Sequence, residues 1–497
     1  MKVEQIYTGC LAQGAYYIES NGEVAIIDPL REVTPYLEKA QKDNAQIKYI
    51  FETHFHADFI SGHLTLSKKT NSPIIFGPKA NPSFDCIIAS DNQVFKIGDV
   101  SITVIHTPGH TLESTCYLLK DENDKPYCLF TGDTLFLGDV GRPDLAQKSL
   151  NITKEELAGT LYDSIQNRIS VLPDDILIYP AHGAGSACGK NMMKETVDTL
   201  GNQKIVNYAL NGSLSRTEFV KELTNDLPNP PIYFPSNVKL NQEGYDDFEL
   251  ILKNSLNPLN VDKFKDLMSL KDVIILDVRN QNDFRKGFVP GSIFIGLKGS
   301  FAPWVGSIIK DINTKLLLVC DKGFEEEAIL RLSRVGFDNC LGYLDGGINS
   351  WTSHNSFDVI ESISADDLSK TIESISLIDV RKTGERSNGY LLNSKHITLD
   401  SFQDDLTKID IKNKNRYLSK SDKKDKKIKE FNLVLKSNNS FDFNSQITGN
   451  LLGNFIKKNW GLEIDKNGRT SYSNPCIIRV YREDNEKHLN KFLKNDY

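Results

Sequence analysis

The chain has 497 residues, of which 39% are hydrophobic, 25% charged and 9% aromatic, and its formal net charge is -7. A chain of this length exceeds what one hydrophobic core supports, so we expect about three domains of roughly 150 residues each. The small acidic charge offers no basic surface for nucleic acid. No stretch reaches the roughly 18 uncharged apolar residues of a membrane span. From the charge and the hydropathy together, we expect neither nucleic acid nor a membrane as a partner.

The cysteines and the N-terminus indicate a reducing compartment. The eight cysteines include no C-x-x-C pair, so neither a disulfide framework nor a thiolate zinc site is indicated. The first residues, M-K-V-E-Q-I-Y-T-G, lack the charged and then apolar pattern of a secretory signal. We therefore predict a cytoplasmic protein, and self-association to a homo-oligomer is left open.

Short apolar runs rich in β-branched residues recur through the first half of the chain. Each is closed by Gly, Pro or Asp, the pattern of a buried strand. The runs cover residues 15–18, 24–29, 47–51, 73–76 and 102–105. Helices are predicted between them over 33–42 and 64–70. This alternation predicts a mixed α/β layer architecture.

Four of the predicted strands are immediately followed by side chains that can bind a metal. The strands lead into T-H-F-H-A-D-F-I-S-G-H (Thr53–His63), H-T-P-G-H-T (His106–Thr111), T-G-D-T (Thr131–Thr134) and P-A-H-G (Pro180–Gly183). Loops at one end of a sheet are where a rigid scaffold presents catalytic groups. Burying an unpaired polar group costs on the order of a few kcal/mol, so His54, His56 and Asp58 have no use in a packed core. The sequence therefore predicts a metal site at these strand ends.

These four motifs resemble those of the metallo-β-lactamase superfamily over roughly residues 1–245. The resemblance implies an αββα sandwich with a metal at the sheet edges. Two longer segments, F-T-G-D-T-L-F-L-G-D-V-G-R-P-D-L and R-T-E-F-V-K-E-L-T-N-D-L-P-N-P-P, are similar to the persulfide dioxygenase branch. That branch implies one Fe²⁺ per chain, held by His54, His110 and Asp133. It also implies oxidation of a low-molecular-weight thiol persulfide, of glutathione or another carrier thiol, by O₂ to sulfite and free thiol.

Phe59 departs from the hydrolytic pattern H-x-H-x-D-H, in which the last His serves a second metal. Phenylalanine cannot coordinate, and a second ion would keep only Asp58, Asp133 and His182, too few ligands for tetrahedral zinc. We therefore predict a mononuclear site, in which two imidazoles and one carboxylate leave positions open for O₂ at Fe(II). Zn²⁺ on the same ligands is the alternative and could act only as a Lewis acid or hydroxide source. His56, Asp58 and His182 are then expected to orient the ligands, with direct ligation as the alternative.

Two further residues are candidates for substrate chemistry. Gly183–Lys190 precedes a predicted helix that ends near Leu210. Glycines before a helix let the backbone approach an anion, and the helix N-terminus favours negative charge. A thiol at such a helix start has a lowered pKa, so Cys188 is a candidate persulfide carrier. The alternative for Cys188 is a small buried cysteine. Arg142 could meet the negative charge of the substrate, with a salt bridge to Asp144 as the alternative.

A second pattern begins after the Pro- and Asn-rich segment 227–237. It comprises the strand V-I-I-L-D-V-R (273–279), the strand K-L-L-L-V-C (315–320), a helix over 325–335 and L-D-G-G-I-N-S-W (344–351), and it resembles a rhodanese domain over about residues 255–355. Cys320 stands where rhodaneses carry sulfane sulfur. The loop after it, D-K-G-F-E-E-E, is rich in carboxylates that should raise the thiol pKa and repel anions. We therefore favour an inactive or scaffold role over sulfur transfer.

The remaining residues are less informative. The segment S-L-I-D-V-R (376–381) repeats the pattern of 275–279 and begins a partial second rhodanese-like domain over 360–411. Residues 412–497 hold a lysine-rich run, 412–430, which we interpret as a solvated linker, and an unassigned C-terminal region with strand-like pieces at 431–435 and 477–481.

Three functions are compatible with these patterns. The first is an iron-dependent persulfide dioxygenase for sulfide detoxification, fused to rhodanese modules that handle sulfane sulfur. The second is a zinc-dependent thioester hydrolase of the glyoxalase II kind, and the third is a non-catalytic sulfur-relay protein. Phe59 disfavours the second, and the intact set of His54, His110 and Asp133 disfavours the third.

Overall fold

The computed structural model describes residues 1–145, 152–225, 227, 229–360, 378–381, 383–387, 389–390 and 394–398, together with the strands Val434–Leu435 and Cys476–Ile477. The chain divides into two units, one comprising 1–280 and 293–350 and the other 281–292 and 351–497. Among the described residues, no helix combines the length and the apolar character that crossing a membrane requires.

The first sheet has six strands in chain order. They are β1 (Lys2–Thr8), β2 (Gln13–Ser20), β3 (Glu23–Ile27), β4 (Gln46–Glu52), β5 (Ile74–Phe76) and β6 (Ile87–Ile88), with helices α1 (Thr34–Lys42) and α2 (His63–Thr70) between them. The strands β1 to β3 pair antiparallel, and β3 to β6 pair parallel. Parallel neighbours need a crossover connection, which α1 supplies between β3 and β4 and α2 supplies between β4 and β5. The predicted strands and helices of this region are confirmed.

The second sheet also has six strands, and each lies beside its neighbour in the chain. They are β7 (Val94–Ile97), β8 (Val100–His106), β9 (Thr115–Lys120), β10 (Pro126–Gly132), β11 (Leu177–Pro180) and β12 (Asp198–Thr199). Helix α3 (Lys154–Ser164, continued by a π-helical turn Ile165–Ile169) lies between β10 and β11 in the chain. The helices after β12 are α4 (Leu200–Val206), α5 (Arg216–Thr224) and α6 (Phe234–Glu243). A capping box between Thr153 and Glu156 begins α3.

Buried side chains form three apolar layers around these two sheets. Tyr16 and Ile18 of β2 lie in the layer between the sheets, together with Phe130 of the second sheet. Tyr17, which alternates with them along β2, lies in the layer that α1 and α2 cover. A third layer, which includes Phe219 of α5, covers the outer face of the second sheet. The predicted αββα sandwich is confirmed.

A third sheet is parallel throughout, with strand order β13-β17-β16-β14-β15. Its strands are β13 (Pro258–Leu259), β14 (Val273–Asp277), β15 (Ile293–Phe294), β16 (Lys315–Val319) and β17 (Cys340–Leu344). The helices of this region are α7 (Phe248–Ser255), α8 (Val261–Met268), α9 (Gln281–Phe284), α10 (Phe301–Ile308), α11 (Glu325–Ser333) and α12 (Gly347–Thr352). The continuous apolar sequence of β16 is typical of a parallel strand covered on both faces. The predicted rhodanese-like fold is confirmed.

The predicted internal repeat has the same local structure in both copies. Arg279 donates to both carboxylate oxygens of Asp277 at 2.7–3.1 Å, and Arg381 donates to Asp379 at 2.8–2.9 Å. In the second copy, β18 (Ile378–Asp379) pairs parallel with β19 (Lys395–His396), and α13 (Thr383–Ser387) lies between them in the chain. The last pair, β20 (Val434–Leu435) with β21 (Cys476–Ile477), is antiparallel. Apart from residues 360, 378–381, 383–387, 389–390 and 394–398, the segment assigned to 360–411 lies outside the described residues, and so does the linker at 412–430.

Candidate metal centre

The predicted metal ligands follow strand ends of the two central sheets. His54 comes two residues after β4, His110 four residues after β8, and Asp133 directly after β10. His182 comes two residues after β11, which is parallel to β10. The structure therefore brings together side chains that are far apart in the chain.

His54, His110 and Asp133 form a buried group with the geometry of a metal site. Their donor atoms lie within 4.8 Å of one another, and Asp133 Oδ2 is 3.9 Å from His54 Nε2 and 3.5 Å from His110 Nε2. Neither carboxylate oxygen of Asp133 has a hydrogen-bond partner among the described residues. A buried carboxylate without partners is costly, and a cation between these three side chains would remove that cost. The residues thus fit a metal ion, and metal binding by this triad remains a prediction.

Backbone and hydroxyl groups orient both imidazoles of the triad. His110 Nδ1 lies 2.8 Å from the carbonyl oxygen of Arg142, which can only accept, so Nδ1 carries the proton and Nε2 is available as a ligand. His54 Nδ1 lies 3.0 Å from Thr53 Oγ1, whose own proton is donated to Asp28. Burial and the neighbouring imidazoles lower the pKa of His54 well below its usual value, which favours the neutral form that binds metals.

His56 is turned away from the triad toward two carboxylates. Its Nε2 lies 3.1 Å from Asp28 Oδ1 and 3.4 Å from Glu52 Oε2, and all three side chains are buried. Burial lowers the pKa of His56, but Asp28 and Glu52 outweigh it and hold the pKa well above its usual value. Nε2 of His56 therefore faces Asp28 and Glu52, and the donor atoms of these three residues also lie within 4.8 Å of one another, so they too could hold a metal ion. The orienting role of His56 stays a prediction. Sequence reasoning missed Asp28 and Glu52, although each closes a predicted strand just as the other candidates do.

A second buried group lies beside the triad. His182 Nε2 is 3.4 Å from Asp58 Oδ2 and 3.5 Å from Asp133 Oδ1. Asp58, His182 and Cys188 have donor atoms within 4.8 Å of one another, so they too could hold a metal ion. The sequence analysis counted Asp58, Asp133 and His182 for a second ion and missed the Cys188 thiol as a donor, because Cys188 is distant from the strand-end motifs.

Comparison with known proteins supports this assignment of the fold. Residues 8–85 match the metallo-β-lactamase superfamily, and residues 260–354 match the rhodanese-like domain. A solved metallo-β-lactamase structure from Staphylococcus aureus subsp. aureus COL is 30% identical, with a TM-score of 0.62, over 69% of this chain and 98% of that one. The chain belongs to the metallo-β-lactamase superfamily.

Two further comparisons cover less of the chain. Two probable hydroxyacylglutathione hydrolases of Schizosaccharomyces pombe are each 32% identical over 167 and 161 residues, which are 33% and 32% of this chain. This chain spans 60% and 58% of the length of those relatives. A solved structure of ETHE1 from Myxococcus xanthus is 27% identical over 49% of this chain and 98% of that one, with a TM-score of 0.42.

The helix predicted between Lys190 and about Leu210 is present only in part. Residues 184–197 form turns and loop, and within the described stretch up to Leu210 helix is confined to α4 (Leu200–Val206). Cys188 is therefore not at a helix start. It is 1% exposed, and burial together with the carboxylates of Asp133 and Asp58 raises its thiol pKa well above the usual value, the opposite of the expected direction. The role of Cys188 as a persulfide carrier stays a prediction, without the lowered pKa on which it rested.

Arg142 is engaged by its neighbour in this metallo-β-lactamase fold. Its guanidinium donates to both carboxylate oxygens of Asp144 at 2.7 and 2.8 Å, and also to the carbonyl of Ala187. The salt bridge that the sequence left as an alternative is thus present, and contact of Arg142 with a substrate stays a prediction. The backbone carbonyl of Arg142 has a further role, because it orients His110.

Phe59 occupies the position of the second-metal histidine without facing solvent. It is fully buried and stacks on His56, with ring centroids 4.3 Å apart and an interplanar angle of 30°. It belongs to an apolar cluster that also contains Tyr233 and Phe337. Phe59 therefore supplies packing where a hydrolytic relative supplies a ligand.

Cys320 lies directly after β16 and is 4% exposed. The pKa of its thiol is raised, first by burial and then by nearby acidic groups that include Glu325, Asp277 and Asp321. The direction agrees with the prediction from the acidic loop, although burial is the larger cause. Such a thiol is rarely a thiolate at neutral pH, and the thiolate is the nucleophile in sulfur transfer.

Replacing Cys320 by serine is expected to leave O₂ uptake with a thiol persulfide unchanged, because this buried thiol is no metal donor of the triad. An oxygen electrode and sulfite determination on the full-length variant measure this, with the thermal unfolding midpoint recorded to show that the variant is folded. A folded variant that loses O₂ uptake would instead assign Cys320 a step in the reaction.

Proposed function

We propose that the chain is an iron-dependent persulfide dioxygenase. The observation that carries the proposal is the composition of the buried triad. It contains two imidazoles and one carboxylate, while the third imidazole, His56, is held by Asp28 and Glu52. Two His and one carboxylate are the ligands that non-heme Fe(II) oxygenases use. On tetrahedral Zn²⁺ these three residues would leave one open position, whereas on six-coordinate Fe(II) they would leave room for both O₂ and a substrate sulfur.

The overall reaction converts a persulfide anion, O₂ and water into free thiol, sulfite and a proton. The S–S bond breaks, the terminal sulfur is oxidised, and water provides the third oxygen of sulfite. Bound Fe²⁺ would supply the redox couple and the open positions for O₂ and sulfur. The chain itself orients His110 through the carbonyl of Arg142 and His54 through Thr53, and it buries the triad so that bulk water is kept away.

A thioester hydrolase of the glyoxalase II kind is the second candidate. Asp58, His182 and Cys188 could hold a second ion beside the triad, and two metals side by side are common in hydrolases. The Schizosaccharomyces pombe relatives bear the name hydroxyacylglutathione hydrolase. The two candidates differ in the metal, its stoichiometry and the need for O₂.

We expect full-length protein purified without oxygen to contain one iron per chain and to consume O₂ and release sulfite when glutathione persulfide is added. Metal analysis and an oxygen electrode measure this, and hydrolysis of a glutathione thioester is assayed in parallel. Two zinc ions per chain, thioester hydrolysis and no O₂ uptake would instead establish the hydrolase.

A further inference from the structure

The second half of the first metal motif is bonded to the rhodanese-like domain (residues 260–354). This part of the motif is the loop Asp58–Ser61, which leads into α2. The backbone N–H of Ile60 donates to the carbonyl of Arg334, at the end of α11, over 2.7 Å. Phe59, one residue earlier, lies in the same apolar cluster as Val335 and Phe337. The backbone of this metal-site loop is thus hydrogen-bonded to the segment after α11, and a side chain of the loop belongs to the same apolar cluster as that segment.

Tyr233 makes a second connection to the same loop. Its hydroxyl donates to the carbonyl of Asp58 over 3.3 Å. The ring lies flat against Gly306 of α10, since a Cβ added at Gly306 would lie 2.2 Å from Cδ1 of Tyr233. A side chain at position 306 would therefore push the tyrosine against or away from Asp58, a member of the second metal-binding group.

An ion pair between a buried arginine and a partly exposed aspartate makes the third connection. The side chain of Arg31 is fully buried and donates to both carboxylate oxygens of Asp338 at 2.7 and 2.8 Å, and to the carbonyl of Ser333. Arg31 follows Leu30, which pairs with Ser61 of the loop in a β-bridge. A buried guanidinium is stable only while its partner is present, so this pair holds the end of α11 against the strand-end loops.

We propose that the rhodanese-like domain is a positioning element for the metal site. Through Arg334, Asp338 and Gly306 it fixes the loop Asp58–Ser61, and this determines the shape and the affinity of the metal site. The role is independent of sulfur chemistry at Cys320. It also requires only that the site binds a metal, so it holds for either candidate reaction, and its failure would leave the proposed function untouched.

The test uses Co²⁺ as the probe in full-length protein, because its visible spectrum reports ligand geometry. Gly306→Ala and Asp338→Asn are expected to weaken Co²⁺ binding about tenfold, the loss typical of removing an outer partner of a metal site, and to alter the spectrum. Tyr233→Phe, which removes a single oxygen atom, is expected to change the spectrum in the same direction with a smaller loss. Asp338→Glu, which keeps the carboxylate, should restore most of the affinity.

Glu327→Gln is the matched control. It removes a half-exposed ion pair with Arg331 on the same helix, α11, away from the loop, so Co²⁺ affinity and spectrum should stay as in the wild type. The proposal is overturned if folded Gly306→Ala and Asp338→Asn bind Co²⁺ with wild-type affinity and spectrum. If those two variants do not fold, an unchanged spectrum in Tyr233→Phe overturns it.

Discussion

Replacing His110 by alanine is expected to abolish O₂ uptake and to remove most of the bound metal. His110 supplies one of only two imidazoles of the triad, and its Nε2 lies 3.5 Å from Asp133 Oδ2. Loss of an outer partner alone costs roughly 10- to 100-fold in metal affinity, so loss of a ligand should cost more. Metal analysis after gel filtration and an oxygen electrode with glutathione persulfide measure both effects.

His106→Ala is the matched control for this prediction. His106 lies four residues earlier, at the end of β8, and its Nε2 contacts the carbonyl of Leu112 at 2.9 Å instead of the triad. This variant should keep its metal and most of its O₂ uptake. Retention of iron by His110→Ala, or an equal loss in both variants, would contradict the ligand assignment.

Gly109→Ala is expected to disrupt the site as severely, through packing instead of ligand loss. A Cβ at Gly109 would lie 2.3 Å from Cα and 2.4 Å from N of Leu161, which belong to the backbone of α3 and cannot rotate away. The φ of Gly109 is also positive, at 144°. Overpacking and backbone strain each cost about 1–3 kcal/mol, so we expect a lower unfolding midpoint and loss of metal as His110 is displaced.

The variant Gly212→Ala separates the cost of backbone strain from the cost of overpacking against α3. Gly212 also has a positive φ, 71°, but a Cβ there would meet no atom within 4 Å among the described residues. Its cost should be the backbone term of about 1 kcal/mol, with metal content unchanged. If Gly109→Ala unfolds at the same temperature as Gly212→Ala and keeps its metal, the expectation is contradicted. Helix α3 would then move at little cost to accommodate the added Cβ.

The strand-end motifs could be predicted because each depends on a short stretch of chain. β-branched runs closed by Gly, Pro or Asp are read locally, and the ends of neighbouring parallel strands meet at one edge of a sheet. This was sufficient to predict a metal site at these strand ends, and the resemblance to persulfide dioxygenases implied the set of His54, His110 and Asp133, whose donor atoms lie within 4.8 Å of one another. Phe59 was likewise evident as the residue that departs from the hydrolytic motif.

The loop around Cys188 shows where local pattern fails. The residues after Gly189 include helix formers, yet Asp139 accepts the backbone N–H groups of Lys190 and Asn191 at 2.6 Å, and Met193 N–H donates to Leu137. These bonds satisfy the backbone in a non-helical path. A distant carboxylate therefore overrides local propensity, and the thiol becomes buried beside two acids instead of starting a helix.

Residue chemistry and periodicity thus indicated the mixed α/β layers and a metal site at the strand ends, and the resemblance to known families implied the two kinds of fold and the predicted triad. The packed structure was needed to show that His56 faces Asp28 and Glu52, and that Arg31 pairs with Asp338, 307 residues away. The reason is physical: imidazole orientation and the pairing of buried charges depend on which distant segments exclude water together. The hydrophobic pattern of a sequence indicates that a residue is buried, but it does not indicate which residue is its partner in the core.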